Sequence, residues 1–240
     1  MKILALESSA KAASCCITED SHLIAQSFQS SGLTHSRTLL PMITDMLKNS
    51  DISLKEIDLI AVANGPGSFT GLRIGVSTAK GLAWGQEKPI CAVSTLEAMA
   101  WNVGIENGLI CCAMDARRQQ VYNAIFQAKA GNLLRLTEDR AVALTDLFSD
   151  ERFHGQPITL IGDGANLCLP YSEACGLNAS LAPENLVQQS AWGVARAAMK
   201  KLESEEPQPA ADLAPNYIRL SQAERERMEK SHRLPGDKQN

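Results

Sequence analysis

The pattern of short apolar runs over residues 2–93 begins again at residue 109, and this repetition restricts the fold more than any single motif does. In the first pass, residues 2–8, 12–18 and 22–28 read as a three-strand meander, broken at Glu19-Asp20-Ser21. Residues 34–48 place Leu39, Leu40, Ile43, Met46 and Leu47 at the three-four spacing of an amphipathic helix, with Thr34 as its N-cap. A strand at 57–63, a helix at 71–84 and a short buried strand at 89–93 follow. In the second pass, strands fall at 109–114, 120–127 and 133–136. A helix near 144–150, a strand at 158–161, the turn Gly162-Asp163-Gly164 and a long helix over 184–202 complete it, with the prolines of Glu205-Glu206-Pro207-Gln208-Pro209 ending that helix. Laying Ile3 over Ile110 puts Glu7 beside Met114 and Ser8 beside Asp115, so an acidic residue closes the first strand of each half within one position. Residues 1–104 and 105–222 are thus expected to be two subdomains, with 223–240 a charged, disordered tail.

With 240 residues, 45% of them hydrophobic and 21% charged, the chain can bury a core of one large or two small domains. Met1 to Cys16 carries only Lys2 in front and is broken at Glu7-Ser8-Ser9, unlike a signal peptide, and no apolar run approaches the ~20 residues of a membrane span. A cytoplasmic location is expected. The seven cysteines lie mostly in apolar runs without a Cys-x-x-Cys pair, as small core residues rather than a disulfide or zinc framework. A net charge of -4 and a pI near 5.6 weigh against a dedicated nucleic-acid surface, which needs a basic patch.

The sharpest local feature is Asn64-Gly65-Pro66-Gly67-Ser68-Phe69-Thr70-Gly71-Leu72-Arg73-Ile74-Gly75, a glycine-rich passage from strand to helix. Its amides could approach an anion at the start of the helix, yet it matches neither the Walker A loop nor the dinucleotide fingerprint. On mechanism alone a tight structural turn outweighs a phosphate cradle. The helix after it carries Gly71, Gly75, Ala79 and Ala83 four apart, a small-residue face open to close packing on the chain's own sheet or on a partner. Glu7 and Asp115 could be paired carboxylates across a cleft or ordinary strand ends meeting water. Histidines 22, 35, 154 and 232 form no metal-binding pair, and no Gly-x-Ser-x-Gly nucleophile motif is present.

Two mixed α/β halves, each opening in a meander tipped by an acidic residue, resemble the duplicated actin-like, Hsp70-like (ASKHA) and sugar-kinase architecture. That resemblance implies a nucleotide between the halves. Its phosphates would lie near Glu7, Ser8 and Ser9 and near Asp115, and its adenosine near Gly162 and Gly164.

Ile3-Leu4-Ala5-Leu6-Glu7-Ser8-Ser9, His35-Ser36-Arg37-Thr38-Leu39-Leu40-Pro41, the stretch Gly65 to Gly75 and Pro215-Asn216-Tyr217-Ile218-Arg219 together resemble the TsaB (YeaZ) family, in order from residue 1 to about 220. The family's more usual opening has Asp-Thr-Ser where this chain has Glu7-Ser8-Ser9. The resemblance implies a non-catalytic subunit that supports N6-threonylcarbamoyladenosine formation at position 37 of tRNAs reading codons that begin with A. Its partner would be TsaD, with TsaE as third member, ATP or ADP at the complex interface, tRNA reached only through the complex, and a homodimer when alone. TsaD holds metal through a His-x-x-x-His pair. Thr95 and Met99 stand at the aligned positions, and a hydroxyl with a thioether cannot replace two imidazoles, so neither metal nor catalysis is expected here. The resemblance places the TsaD contact on the helices of the first half, with Leu39, Ile43, Leu72, Arg73, Val76, Ala79 and Ala83 as candidate residues. The rival readings are a nucleotide-dependent kinase-like enzyme and a relative of the M22-type metallopeptidases.

Overall fold

The computed structural model describes residues 1–104 and 107–219, so the tail expected over 223–240 lies outside the described residues. Three strands, β1 (Lys2–Glu7), β2 (Ala13–Glu19) and β3 (His22–Gln29), form the expected antiparallel meander. Helix α1 (His35–Asn49), strand β4 (Leu59–Gly65), helix α2 (Phe69–Gly85), strand β5 (Ile90–Ser94) and helix α3 (Thr95–Val103) complete the first half. The second half repeats the plan: β6 (Asn107–Asp115), β7 (Gln120–Lys129) and β8 (Asn132–Arg135) form a second meander, with β9 (Arg140–Ala143) paired beside β8 on β7. Then come α4 (Leu144–Leu147), β10 (Ile158–Ile161), α5 (Ala165–Ala174), β11 (Ala179–Leu181) and α6 (Ala191–Lys201).

The repetition read from the sequence is realised strand for strand. The first sheet has the order β3-β2-β1-β4-β5 and the second, read from its far edge, β8-β7-β6-β10-β11. In each, the first strand pairs antiparallel with its hairpin partner and parallel with the strand that returns after a helix. Period-2 alternation decides where β1 spends its side chains: Leu4 and Leu6 face α1 and α2, while Ile3 and Ala5 face α6. The second sheet is layered likewise, with α4 and α5 on its outer face and α3 on its inner one.

The inner helices are exchanged. α6 belongs to the second half in sequence but lays Ala191, Val194, Ala195 and Ala198 on the first sheet, while α3 turns Leu96, Met99 and Val103 to the second. The two helices cross closely at Gly193, where a Cβ would run into the backbone carbonyl of Ala98. After α6 the chain returns to the first half. Gln208 exchanges two backbone hydrogen bonds with Ile90, at 2.8 and 2.9 Å, and Leu213 enters the first core.

Several elements differ from the sequence reading. The helix expected over 184–202 begins only at Ala191, because residues 186–188 are held by buried Asn102, whose Nδ2 donates to the carbonyls of Leu186 and Gln188. The helix expected near 144–150 stops at Leu147. Helix α5, which carries Pro170 in its middle, is an element for which the sequence reading had no counterpart. No described helix is long and apolar enough to cross a membrane.

Candidate functional site

Between the halves lies a cleft of about 450 Å³. One wall is the β1–β2 turn (Ser9, Ala10, Lys11) and the start of α2; the other is the end of β6 with Asp115 and Arg117, and Asp163 after β10. The glycine-rich loop is what lets the first wall close up. At Gly67 and Gly71 a Cβ would meet the carbonyl oxygens of Ser9 and Ser8, and at Gly75 the Ser8 hydroxyl. The Ser68 amide donates to the Ser9 carbonyl at 2.6 Å, and the Ser68 hydroxyl caps α2 by accepting from Gly71 N at 3.2 Å. These glycines serve the packing of helix on hairpin, which is the structural turn weighed for them in the sequence.

The candidate nucleotide residues separate into two groups. Ser9 and Asp115 line the cleft, and the Ser9 hydroxyl is buried without a partner. Glu7, Ser8, Gly162 and Gly164 do not line it. Glu7 is sealed behind the hairpin, with Oε1 accepting from Ser9 N at 2.5 Å and Oε2 unpartnered. Loss of water pushes its carboxyl up to about 7, against the hydrogen bonds from Ser9 and Ser8, with Asp163 adding repulsion. The Ser8 hydroxyl donates to Gly71 O at 2.9 Å. The amides of Gly162 and Gly164 donate to the carbonyls of Val187 and Ala113, at 2.8 and 3.0 Å. A Cβ at Gly162 would strike Ala113 O and Met99 Cε, so the close packing of this turn on the end of β6 and on α3 requires the glycine.

The sequence missed Asp163 as a cleft residue. Its Oδ1 accepts from Gln189 Nε2 at 3.3 Å and from Asp115 N at 3.4 Å, and burial raises its carboxyl above the usual range. Its place in Gly162-Asp163-Gly164, next to a chain reversal at a strand end, is the signal that could have found it. Thr95 and Met99 are both buried, and Met99 packs in the second core. Among the described residues no group of three His, Cys, Asp or Glu side chains converges on a point.

The candidate partner residues also need correction. Leu39, Ile43, Leu72, Val76, Ala79 and Ala83 are all buried within the chain, five of them in the core between the first sheet and helices α1 and α2. The three-four stripe that betrays an amphipathic helix marks the face it spends on its own sheet. Arg73 alone of the seven is exposed. The water-facing side of the same two helices carries Arg37, Leu40 and Thr44 on α1 and Arg73, Ser77, Gly81 and Trp84 on α2. Trp84 is 73% exposed and Leu40 50%. Gly81 has nothing within 4 Å of where a Cβ would stand, so nothing inside the chain requires a glycine there.

Two sheets of one strand order, each backed by outer helices and joined through an exchanged inner pair beneath a cleft, define an actin-like (ASKHA) protein with a duplicated α/β fold. A family model described as "TsaD: tRNA N6-adenosine threonylcarbamoyltransferase" matches residues 29–227. The tRNA threonylcarbamoyladenosine biosynthesis protein TsaB of Bacillus subtilis (strain 168) is 33% identical over 227 residues, covering 93% of this chain and 96% of the relative. The chain belongs to the TsaB family, also called YeaZ. TsaB of Escherichia coli (strain K12) is 36% identical over 168 residues, 68% of this chain and 72% of that one. A solved Pseudomonas aeruginosa protein, described as uncharacterized with similarity to peptidase YEAZ, superposes with a TM-score of 0.79 at 25% identity, over 91% of this chain and 99% of that one. YeaZ from Pseudomonas aeruginosa, at 24% identity and a TM-score of 0.76 over 90% and 99% of the two chains, has the same fold.

Proposed function

We propose that this chain takes part in N6-threonylcarbamoyladenosine synthesis as a non-catalytic scaffold subunit, acting at position 37 of tRNAs that read codons beginning with A. It docks on TsaD, and with it on TsaE, and meets tRNA only through that complex, in the cytoplasm. When TsaD is absent the same face closes a homodimer. The observation that carries this reading is the water-facing side of α1 and α2. There an exposed tryptophan and leucine flank Ser77 and an unconstrained mid-helix glycine, a surface suited to close helix-on-helix approach. Two further features support a scaffold over an enzyme. The carboxylate of Glu7 is turned away from the cleft, and Thr95 and Met99 offer no ligand pair for a divalent metal. ATP or ADP used by the complex then sits at its interface, because Ser8, Gly162 and Gly164 are already committed to protein partners.

The test is tRNA modification in a mixture of threonylcarbamoyl-AMP synthase, TsaD, TsaE, ATP, threonine and bicarbonate, with size-exclusion detection of the complex. Product is expected to require this chain, to survive Asp115→Asn, and to be lost with the complex on Ser77→Arg, which leaves the free chain folded because Ser77 faces water. Full product without the chain, or an intact complex with Ser77→Arg, would overturn the reading.

A further inference from the structure

We propose that residues 215–219 form a latch across the mouth of the cleft and set how far the two halves stand apart. The strap is tied down on the first half over several residues. Lys80 Nζ donates to the carbonyls of Ala211 and Leu213 at 3.0 and 2.9 Å, and Asn64 Nδ2 to that of Ala214 at 3.1 Å. The Asn216 amide donates to Asn64 O at 2.6 Å, and the Asn216 carbonyl lies where a side chain at residue 65 would be, so Gly65 is a seat for the strap.

Tyr217 then stacks on Phe69 at the start of α2, ring centroids 4.6 Å apart and planes at 27°. Arg73 completes the clamp. Its guanidinium lies 3.8 Å over the Phe69 ring and its Nε donates to the Tyr217 hydroxyl at 3.0 Å. Two residues further on, Arg219 Nη1 crosses to the second half and donates to the Ala116 carbonyl at 3.1 Å.

The partner carbonyl is well chosen for a grip. Ala116 precedes Arg117, Arg118 and Gln119, three consecutive residues with positive φ of 65, 55 and 56°, a tight left-handed turn that fixes the end of the β6–β7 hairpin. The exchanged pair α3 and α6 joins the halves at the floor of the cleft, with Gly193 against Ala98, while the strap joins them at its mouth. Among the described residues the strap is anchored by many bonds on one wall and by one charge-assisted hydrogen bond, from Arg219, on the other, and such an element releases at its weaker attachment first. Ile218, between Tyr217 and Arg219, lines the cleft, so release also removes part of its cover.

This inference does not depend on the docking reading, and its test uses the free chain. Nitroxide labels go on Lys48→Cys in α1 and Asn166→Cys in α5, both exposed, in a Cys175→Ser background that removes the one exposed thiol; the other six cysteines are buried. The distance between labels is read by pulsed electron resonance. Arg219→Ala is expected to move the distribution to longer distance and broaden it. Tyr217→Ala should do the same by loosening the anchor, and Arg219→Lys, which keeps a donor, should restore the parent distribution. A parent-like distribution in both alanine variants would overturn the latch.

Discussion

Helix α2 offers the same substitution at two places with opposite consequences. Gly81 faces water in mid-helix, and a Cβ there would meet nothing within 4 Å. Gly81→Ala therefore keeps only the gain in helix propensity, about 0.8–1 kcal/mol. For a chain of this size that is roughly 2–4 °C in Tm. Ten residues earlier, a Cβ at Gly71 would overlap the backbone carbonyl oxygen of Ser8 in a strand end that cannot swing away as a side chain would. Overpacking of this kind costs about 1–3 kcal/mol, enough to outweigh any propensity gain in the first turn. Thermal and urea unfolding of the two variants should move in opposite directions. If Gly81→Ala destabilises the free chain, or Gly71→Ala stabilises it, the assignment of one glycine to packing and the other to the open face fails. In the reconstituted modification assay Gly81→Ala should weaken complex formation despite its added stability, because the methyl group stands where a partner helix would come closest.

Neighbouring leucines on α1 make a second contrast. Leu39→Ala should cost about 2–5 kcal/mol of stability by opening a cavity, whereas Leu40→Ala should stay within about 0.5 kcal/mol in the free chain, with denaturant midpoints as the measure. Glu7 supplies a pH dependence. Its folded value of about 7 lies above the ordinary 4.5, so the folded chain keeps a proton that the unfolded chain releases, and stability fully present below pH 4.5 is lost as pH rises to 7. The interval corresponds to about 3 kcal/mol. Glu7→Gln should flatten that part of the stability profile, and an unchanged slope would remove Glu7 as its source.

Much of the fold was legible because it rests on local periodicity said twice. The unbroken apolar runs Ile3-Leu4-Ala5-Leu6 and Leu109 to Met114 mark strands covered on both faces, and the acidic residues that close them mark equivalent ends. α5 was not legible, because Pro170 reads as a breaker where the structure tolerates it on an exposed position of the helix. The candidate partner residues are buried for a more general reason. Apolar spacing reveals the side of a helix that is already occupied by its own core, whereas the water-facing side proposed above for docking, with Ser77 and Gly81, carries no such periodic signal. The strap's Pro215-Asn216-Tyr217-Ile218-Arg219 stood out as a motif, but its contacts with Asn64, Phe69, Arg73 and Ala116 join residues far apart in sequence, which no local pattern encodes.

The exchange of α3 and α6 has a consequence for how the chain comes off the ribosome. One face of the first sheet, including Ile3, Ala5, Leu59 and Cys91, is covered by α6, which begins at residue 191. For most of its synthesis the nascent chain holds a finished meander with one greasy side uncovered, and closure waits for contacts nearly two hundred residues apart. The first half can acquire its strands early but not its final packing. Such a chain gains from being shielded until α6 emerges, and a break anywhere before residue 191 leaves a fragment with the adhesive face of the first sheet exposed.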